Sequence, residues 1–166
     1  MIIAIDPGLR VCGVAVFNAA GELTSACVSE VSYEPEEEID RALSWALMVE
    51  AVAAGLPQIF GDTHLVLELQ EIYTHRKGAD PNDLLDLAGV VGGLATRWPN
   101  ENVFSYLPKV WKGQVPKPTM SERVKTWLKP GELQRVDLPK AKKKQHDVWH
   151  AVGLGVYHLR QKGARK

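Results

Sequence analysis

Asp6 is a carboxylate at the end of an apolar segment, a position where a charge needs a partner. It follows the run Ile2–Ile5 and precedes Pro7 and Gly8. Proline fixes its own φ and glycine accepts a positive φ, so the backbone turns directly after Asp6 and leaves its side chain at the mouth of a strand. A charge at the tip of a buried strand is costly unless a cation or strong hydrogen-bond donors hold it.

Two further segments place acids in comparable positions. Glu68 follows the apolar residues Leu65–Leu67, and Asp147 lies three residues before His150, so that both share one face of a predicted helix. Three carboxylates from distant parts of the chain, each on a regular element, indicate a divalent-metal site. Magnesium prefers oxygen ligands, and two Mg²⁺ ions about 3.5–4 Å apart can activate a water and stabilise a leaving oxygen. We therefore expect metal-assisted phosphodiester cleavage.

Each of these residues also has a simpler interpretation. Strand-end aspartates such as Asp6 often cap turns through their own backbone, and Glu68 could face solvent at a sheet edge. His146 and Asp147 could cap a helix, which is the favoured interpretation for His146. A histidine such as His150 on an apolar helix is more often a hydrogen-bonded core residue than a ligand. The combination of these positions, rather than any single one, favours the metal site.

The composition is that of one globular domain spanning residues 1–166, with 45% hydrophobic and 24% charged residues. The most apolar helix candidate, Ala42 to Leu56, contains Glu50, and the chain does not start with a signal-peptide pattern, so we expect no membrane span. Cys12 and Cys27 lie in predicted strands without metal-ligand spacing. This favours buried, reduced thiols and a cytoplasmic location.

Opposite charges are concentrated in the two parts of the chain, although its formal net charge is zero. Residues 1–100 contain 5 basic and 15 acidic side chains, whereas residues 101–166 contain 15 basic and 5 acidic ones. This asymmetry favours an anionic partner for the second part, of which nucleic acid is the commonest. On charge alone, pairing of the opposite charges within the fold explains the pattern at least equally well.

Apolar runs and turn residues predict elements in the order βββαβαβαα. The predicted strands are Ile2–Asp6, Val11–Phe17, Leu23–Val28, His64–Gln70 and Asn102–Tyr106, and the predicted helices run from about Glu34 to Ala54, Asn82 to Arg97, Thr119 to Leu128 and His146 to Leu159. Segments 109–118 and 130–144 are predicted loops. This order implies an α/β fold, a five-stranded mixed sheet flanked by helices on both faces, with a parallel pair where helices cross over.

Four motifs together resemble a known family over nearly the whole chain. Ile3–Ala15, Val66–Glu68, Leu84–Gly92 and Asp147–Ala151 are similar, in this order, to the first two strands, the second acidic strand, the following helix and the carboxy-terminal motif of RuvC-type Holliday-junction resolvases. The segment Trp111–Lys117 resembles divergent, phage-encoded members. The resemblance implies a ribonuclease H-like fold with two Mg²⁺ or Mn²⁺ ions as cofactor. It also implies a set of catalytic residues that are the metal ligands: Asp6, Glu68, Asp147 and His150.

One position departs from the family pattern. The family usually has a carboxylate directly before the final alanine of its last motif, where this chain has His150, and the preceding ligand position, histidine in some members, is Asp147. The ligand set is thus permuted, which implies an altered metal preference or a weakened activity. A longer insertion after Glu68 also makes the family's base-probing aromatic residue hard to place, and Tyr73 is the best candidate.

The resemblance further implies a homodimer that presents two active sites to a four-way DNA junction. The helix from Asn82 to about Arg97, with Gly89, Gly92 and Gly93, suits the dimer contact, and packing within one chain is an equally good explanation of these glycines. Besides Tyr73, basic residues near the site could bind DNA phosphates. These are Arg76, Lys77, Lys109, Lys112, Lys117, Lys142, Lys143 and Lys144.

The sequence therefore predicts a metal-dependent, structure-specific endodeoxyribonuclease that resolves four-way (Holliday) or other branched DNA junctions. One alternative is a nuclease of the same fold that acts on flaps, forks or RNA–DNA hybrids. The other is a non-catalytic junction-binding protein, which is favoured if His150 disrupts the metal site.

Overall fold

A computed structural model describes residues 1–32, 38–57, 61–70 and 81–165, of which the side chains of 38–42, 81 and 117 are not described. The strands are β1 (Ile2–Asp6), β2 (Val11–Phe17), β3 (Leu23–Glu30), β4 (His64–Glu68) and β5 (Val103–Tyr106). The helices are α1 (Glu38–Gly55), α2 (Pro81–Ala95), α3 (Pro108–Trp111), α4 (Lys117–Thr126), α5 (Pro130–Leu133) and α6 (Gln145–Gln161). Two 3-10 turns, Asn100–Asn102 and Lys142–Lys144, precede β5 and α6.

The strands form one mixed sheet in the order β3-β2-β1-β4-β5. The first three strands form an antiparallel meander. β4 pairs in parallel with β1, and β5 pairs in parallel with β4, because α1 and α2 carry the chain back across the sheet. The α/β class and the mixed five-stranded sheet predicted from the sequence are confirmed. The crossovers place the carboxyl ends of β1 and β4 at the same edge of the sheet.

The two faces of the sheet have separate cores, which follows from the alternation of side chains along each strand. Ile3 and Ile5 of β1 face the side covered by α1 and α2. Ile2 and Ala4 face the other side, where α6 lies against the sheet and α4 packs on α6. α6 is buried without interruption from Val148 to Val156 because it is enclosed by the sheet and by α4.

Two of the three glycines of α2 serve packing within the chain. A Cβ atom on Gly89 would lie 2.5 Å from Cε3 of Trp45, and one on Gly93 would lie 2.8 Å from Cγ2 of Val49, both on α1. Among the described residues, Gly92 has no such neighbour within 4 Å. Packing within the chain therefore explains Gly89 and Gly93, whereas a dimer contact through α2 stays a prediction.

The two segments predicted as loops contain short helices, so that prediction was wrong in part. α3 and α5 begin at Pro108 and Pro130. A proline fits the first helical position because its missing N–H has no partner there in any case.

The prediction for Cys27 was also wrong, since its side chain is exposed while that of Cys12 is buried. Within the described residues, the helices are too short or too polar to cross a membrane.

The outer edge of β3 is partly occupied by the segment 132–137, which begins within α5. Glu132 accepts a hydrogen bond from the backbone N–H of Leu23 at 2.8 Å, and the Arg135 guanidinium donates to the Leu23 carbonyl at 2.6 Å. Ala26 donates its backbone N–H to the Arg135 carbonyl at 3.0 Å and accepts from Asp137 at 2.7 Å. The backbone groups of Leu23 and Ala26 are thus satisfied by this segment.

Candidate functional site

Asp6 and Glu68 lie side by side at the carboxyl ends of β1 and β4. They directly follow the last registered pair of these parallel strands. Both are nearly buried, with 9% and 6% of their surface exposed. Alternation along the strands directs Asp6 to the same face as Ala4 and Glu68 to the same face as Val66, which is the face covered by α6. Two buried carboxylates are therefore held next to each other beneath a helix.

The amino-terminal end of α6 touches the sheet at Gly13, the residue of β2 that pairs with Asp6. A Cβ atom on Gly13 would lie 1.9 Å from the carbonyl oxygen of Asp147. No side chain larger than hydrogen fits this contact without moving the helix. Gly13 thus permits the close approach that brings the first turns of α6, with Asp147 and His150, to the strand end that carries Asp6.

His150 contacts Asp6 directly. Its Nδ1 atom lies 3.2 Å from Oδ2 of Asp6, and its side chain is 2% exposed. Its Nε2 atom is buried and has no hydrogen-bond partner among the described residues. A buried polar atom without a partner is rare in proteins, so this nitrogen is free to accept or donate to a further group.

Asp147 lies at the same end of the sheet but is more accessible than Asp6. Its Oδ1 atom is 2.9 Å from Nε2 of His146, and 21% of its side chain is exposed. Burial raises the pKa of the Cys12 thiol to about 12, and the negative charges of Asp6 and Asp147 add to this rise, against a hydrogen bond with Gly8. Both carboxylates therefore act on the start of β2. The pairing of His146 with Asp147 differs from the helix-capping role predicted for His146.

Glu68 is held by two donors from α3 and the residue after it. The indole Nε1 of Trp111 donates to Oε2 at 2.6 Å, and the Lys112 ammonium lies 3.1 Å from Oε1 and 2.9 Å from Oε2. Burial, followed by the charge of Asp6, raises the pKa of Glu68, while Lys112 and Trp111 oppose that rise. Every oxygen of this carboxylate thus has a protein donor.

The donor chemistry of the site fits a hard divalent cation. Carboxylate oxygens are the ligands that Mg²⁺ and Mn²⁺ prefer, and Asp6, Glu68 and Asp147 offer them beside the unpartnered nitrogen of His150. In the part of the chain that the structure describes, however, no three His, Cys, Asp or Glu side chains are gathered closely enough to hold a metal ion. Lys112 pairs with Glu68 instead. The site thus has suitable donor atoms, but they are not arranged around one metal position.

The residues predicted to bind DNA are only partly within the described structure. Tyr73, Arg76 and Lys77 lie outside it, as does the side chain of Lys117. Lys109, Lys142 and Lys143 are exposed. The ammonium of Lys144 pairs with Glu30, and that of Lys112 lies on Glu68 rather than in solvent.

Sequence reasoning missed the contact of Trp111 with Glu68. Trp111 appeared in the sequence only as part of a motif, and 43 residues separate it from Glu68. The sequence signal for this contact is an indole N–H next to a lysine in a chain that also has a buried acid. This signal does not show which acid the indole contacts.

Solved structures of Holliday-junction resolvases share this architecture. RuvC of Thermus thermophilus, solved in complex with a Holliday-junction substrate, matches with a TM-score of 0.56 at 18% identity, covering 99% of this chain and 97% of that one. The chain has a RuvC-like fold. A second RuvC structure from Thermus thermophilus gives a TM-score of 0.54, again at 18% identity, covering 99% of this chain and 98% of that one. The yeast mitochondrial Holliday-junction resolvase Ydc2 gives 0.62 at 13% identity, covering 98% of this chain and 79% of that one.

No family model matches the sequence, and no curated protein matches it. At these identities the RuvC-like similarity establishes the fold, and the function has to be argued from the site.

Proposed function

We propose that residues 1–166 form a nuclease domain that cleaves branched DNA, foremost four-way junctions, by divalent-metal-dependent hydrolysis of phosphodiester bonds. The observation that carries this proposal is the adjacent burial of Asp6 and Glu68 at two parallel strand ends, with His150 of α6 at 3.2 Å from Asp6. Burying two neighbouring carboxylates is unfavourable, and a cation held by them would offset the cost. The RuvC-like fold supports the same function.

The chain's own residues would divide the work at this site. Asp6, Glu68 and Asp147 would supply oxygen ligands for Mg²⁺ or Mn²⁺, and His150 would supply a nitrogen and fix the orientation of the Asp6 carboxylate. When bound, two such ions activate a water and stabilise the leaving oxygen. The sheet and α6 exclude bulk water from the buried side of Asp6 and Glu68, which strengthens the electrostatic interactions of these groups.

DNA would approach from the basic side of this site. Lys142 and Lys143 are exposed in the turn that leads into α6, within five residues of Asp147. Lys109 is exposed on α3, next to the pair of donors that hold Glu68. Phosphate contacts from such lysines position a duplex without reading its sequence. A homodimer would present two such sites to the two symmetric strands of a junction.

The direct test is cleavage of a mobile four-way junction and of a linear duplex with the same arm sequences, each with Mg²⁺, Mn²⁺ or EDTA. We expect paired cuts in the junction with metal, little cutting of the duplex and none in EDTA. A panel of flaps, forks and RNA–DNA hybrids separates the other nuclease activities of this fold. Faster cutting of one of those substrates would contradict the assignment to four-way junctions.

A non-catalytic junction-binding protein is a second candidate because protein groups already engage both central carboxylates. Lys112 lies on Glu68 and His150 lies on Asp6. Under this alternative the protein retards four-way junctions in gels but cuts none of the substrates with any metal. Metal-dependent cutting that is abolished in the Asp6→Asn variant excludes it.

A further inference from the structure

Lys112 occupies the place on Glu68 where a metal cation would bind. Its ammonium lies within 3.1 Å of both carboxylate oxygens, and the two side chains are only 15% and 8% exposed. An ammonium so placed neutralises a charge that burial and the neighbouring Asp6 both disfavour. The fold therefore carries its own counter-cation at the candidate site.

The two donors on Glu68 differ in how firmly the fold holds them. The Trp111 ring is wedged against α6, since a Cβ atom on Gly153 would lie 2.7 Å from its Cζ3 atom, and only 6% of the residue is exposed. Lys112, the residue directly after α3, reaches Glu68 through a flexible four-carbon stem. Lys112 can therefore leave while Trp111 stays in place and keeps Oε2 oriented by its 2.6 Å hydrogen bond.

We propose that Lys112 is an exchangeable internal counter-cation, which holds Glu68 in the metal-free protein and is displaced when a divalent cation binds there. This inference rests on the proposed function, because it takes Glu68 as a metal ligand. Ammonium and metal compete for the same oxygens, so Lys112 lowers the affinity of the site for the metal. It also prevents two buried carboxylates from standing uncompensated when the metal is absent.

Binding of Mn²⁺, followed by the electron paramagnetic resonance signal of the free ion, tests the competition without DNA. Lys112→Met keeps most of the side-chain stem and removes the charge. We expect this variant to bind Mn²⁺ at least about tenfold more tightly than the parent, because a nearby positive charge that repels the metal is gone. Lys109→Met is the matched control, since it removes the same charge from α3 without touching Glu68. We expect its affinity to stay within about twofold of the parent, the change left for an exposed, screened charge. Equal or weaker binding by Lys112→Met would overturn the proposal.

A second measurement uses the unmodified protein and so does not depend on the folding of a variant. Lysines are acetylated with an amine-reactive ester in EDTA and in saturating Mn²⁺, and the sites are quantified by peptide mass spectrometry. We expect Lys112 to be protected in EDTA and to become reactive with Mn²⁺, while Lys109 reacts equally in both. Unchanged protection of Lys112 in saturating Mn²⁺ would contradict its displacement.

These outcomes separate the two proposals. Release of Lys112 by Mn²⁺ in a protein that cuts no DNA would overturn the proposed function and leave the role of Lys112 standing. Metal-dependent cutting with Lys112 still protected would overturn the role of Lys112 and leave the proposed function standing. Failure of both the parent and Lys112→Met to bind Mn²⁺ would overturn the exchange together with the metal dependence.

Discussion

Asp6 is the residue on which metal-dependent cleavage should depend most. Asp6→Asn keeps the size of the side chain but removes the charge that a cation requires. We expect the single-turnover rate of junction cleavage to fall by orders of magnitude, while junction binding in gel-shift assays persists or tightens because repulsion with phosphate decreases. Asp62→Asn, at an exposed position just before β4, is the control and should cleave normally. Near-normal cleavage by metal-loaded Asp6→Asn would refute the assignment of the site.

A second prediction concerns His150, which would offer the metal a nitrogen ligand where oxygen ligands are usual. Imidazole suits Mn²⁺ better than Mg²⁺, so we expect faster cleavage with Mn²⁺, and a shift of preference towards Mg²⁺ in His150→Asp. His150→Ala should lose most of the cleavage while its circular dichroism spectrum stays unchanged. If His150→Ala cleaves as well as the parent, His150 is a packing residue and its contact with Asp6 is structural.

The residues of the site could be predicted from the sequence to different degrees. Asp6 and Glu68 were identifiable because each ends an apolar strand, and alternation along the strand then fixes the face to which it points. The contact between Lys112 and Glu68 was not identifiable, since 44 residues and three elements separate them. A long, flexible side chain leaves no periodic pattern that would reveal its partner.

Among the elements, α6 has a position that depends on one glycine of β2. Gly13→Ala places a methyl group where the Asp147 carbonyl oxygen lies at 1.9 Å, so the helix has to move away from β2 and carry Asp147 and His150 with it. We expect both the thermal midpoint and the cleavage rate to fall. Gly92 on α2 has no neighbour within 4 Å in the described part of the chain, so Gly92→Ala should instead stabilise the protein by about 0.4–1 kcal/mol. Equal effects of the two substitutions would show that the close approach at Gly13 is unimportant.

The far end of α6 carries a histidine that should make stability depend on pH. His158 is fully buried, with Nδ1 at 2.9 Å from the Tyr106 hydroxyl and Nε2 at 3.3 Å from Nδ1 of His64. Burial, followed by the charges of His64 and Lys162, lowers the pKa of His158 to about 4. In the unfolded chain, His158 therefore takes up a proton near pH 6.5, whereas in the folded chain it stays neutral until the pH approaches about 4.

We accordingly expect the free energy of unfolding to decrease as the pH falls from about 6.5 to 4, by up to about 3 kcal/mol. Urea unfolding measured across this range checks the expectation. His158→Phe should flatten the dependence, even if it lowers stability at neutral pH. An equally steep dependence in that variant would assign the effect to other groups.

At the scale of the whole molecule, the basic second part of the chain should appear in the salt dependence of DNA binding. Replacing the exposed Lys142 and Lys143 by Gln should weaken junction binding and reduce the slope of log K against log salt by about one unit for each phosphate that is no longer neutralised. Lys129→Gln is the control. Lys129 pairs with Glu22 at 3.0 Å, and the turn next to Glu22 packs on the carboxy-terminal end of α6, which is the end away from the candidate site. An unchanged slope in the double variant would place the DNA elsewhere.

The segment 132–137 also determines how copies of this chain can meet. An exposed edge strand invites another chain to add a strand, and natural proteins suppress this by covering or shortening their edges. Here the backbone of Leu23 and Ala26 on β3 is already paired with the chain itself, and the opposite edge strand, β5, has only four residues. Continuous sheets running from one molecule into the next are therefore disfavoured on both sides, which protects against fibrillar aggregation and leaves helical surfaces for any symmetric assembly.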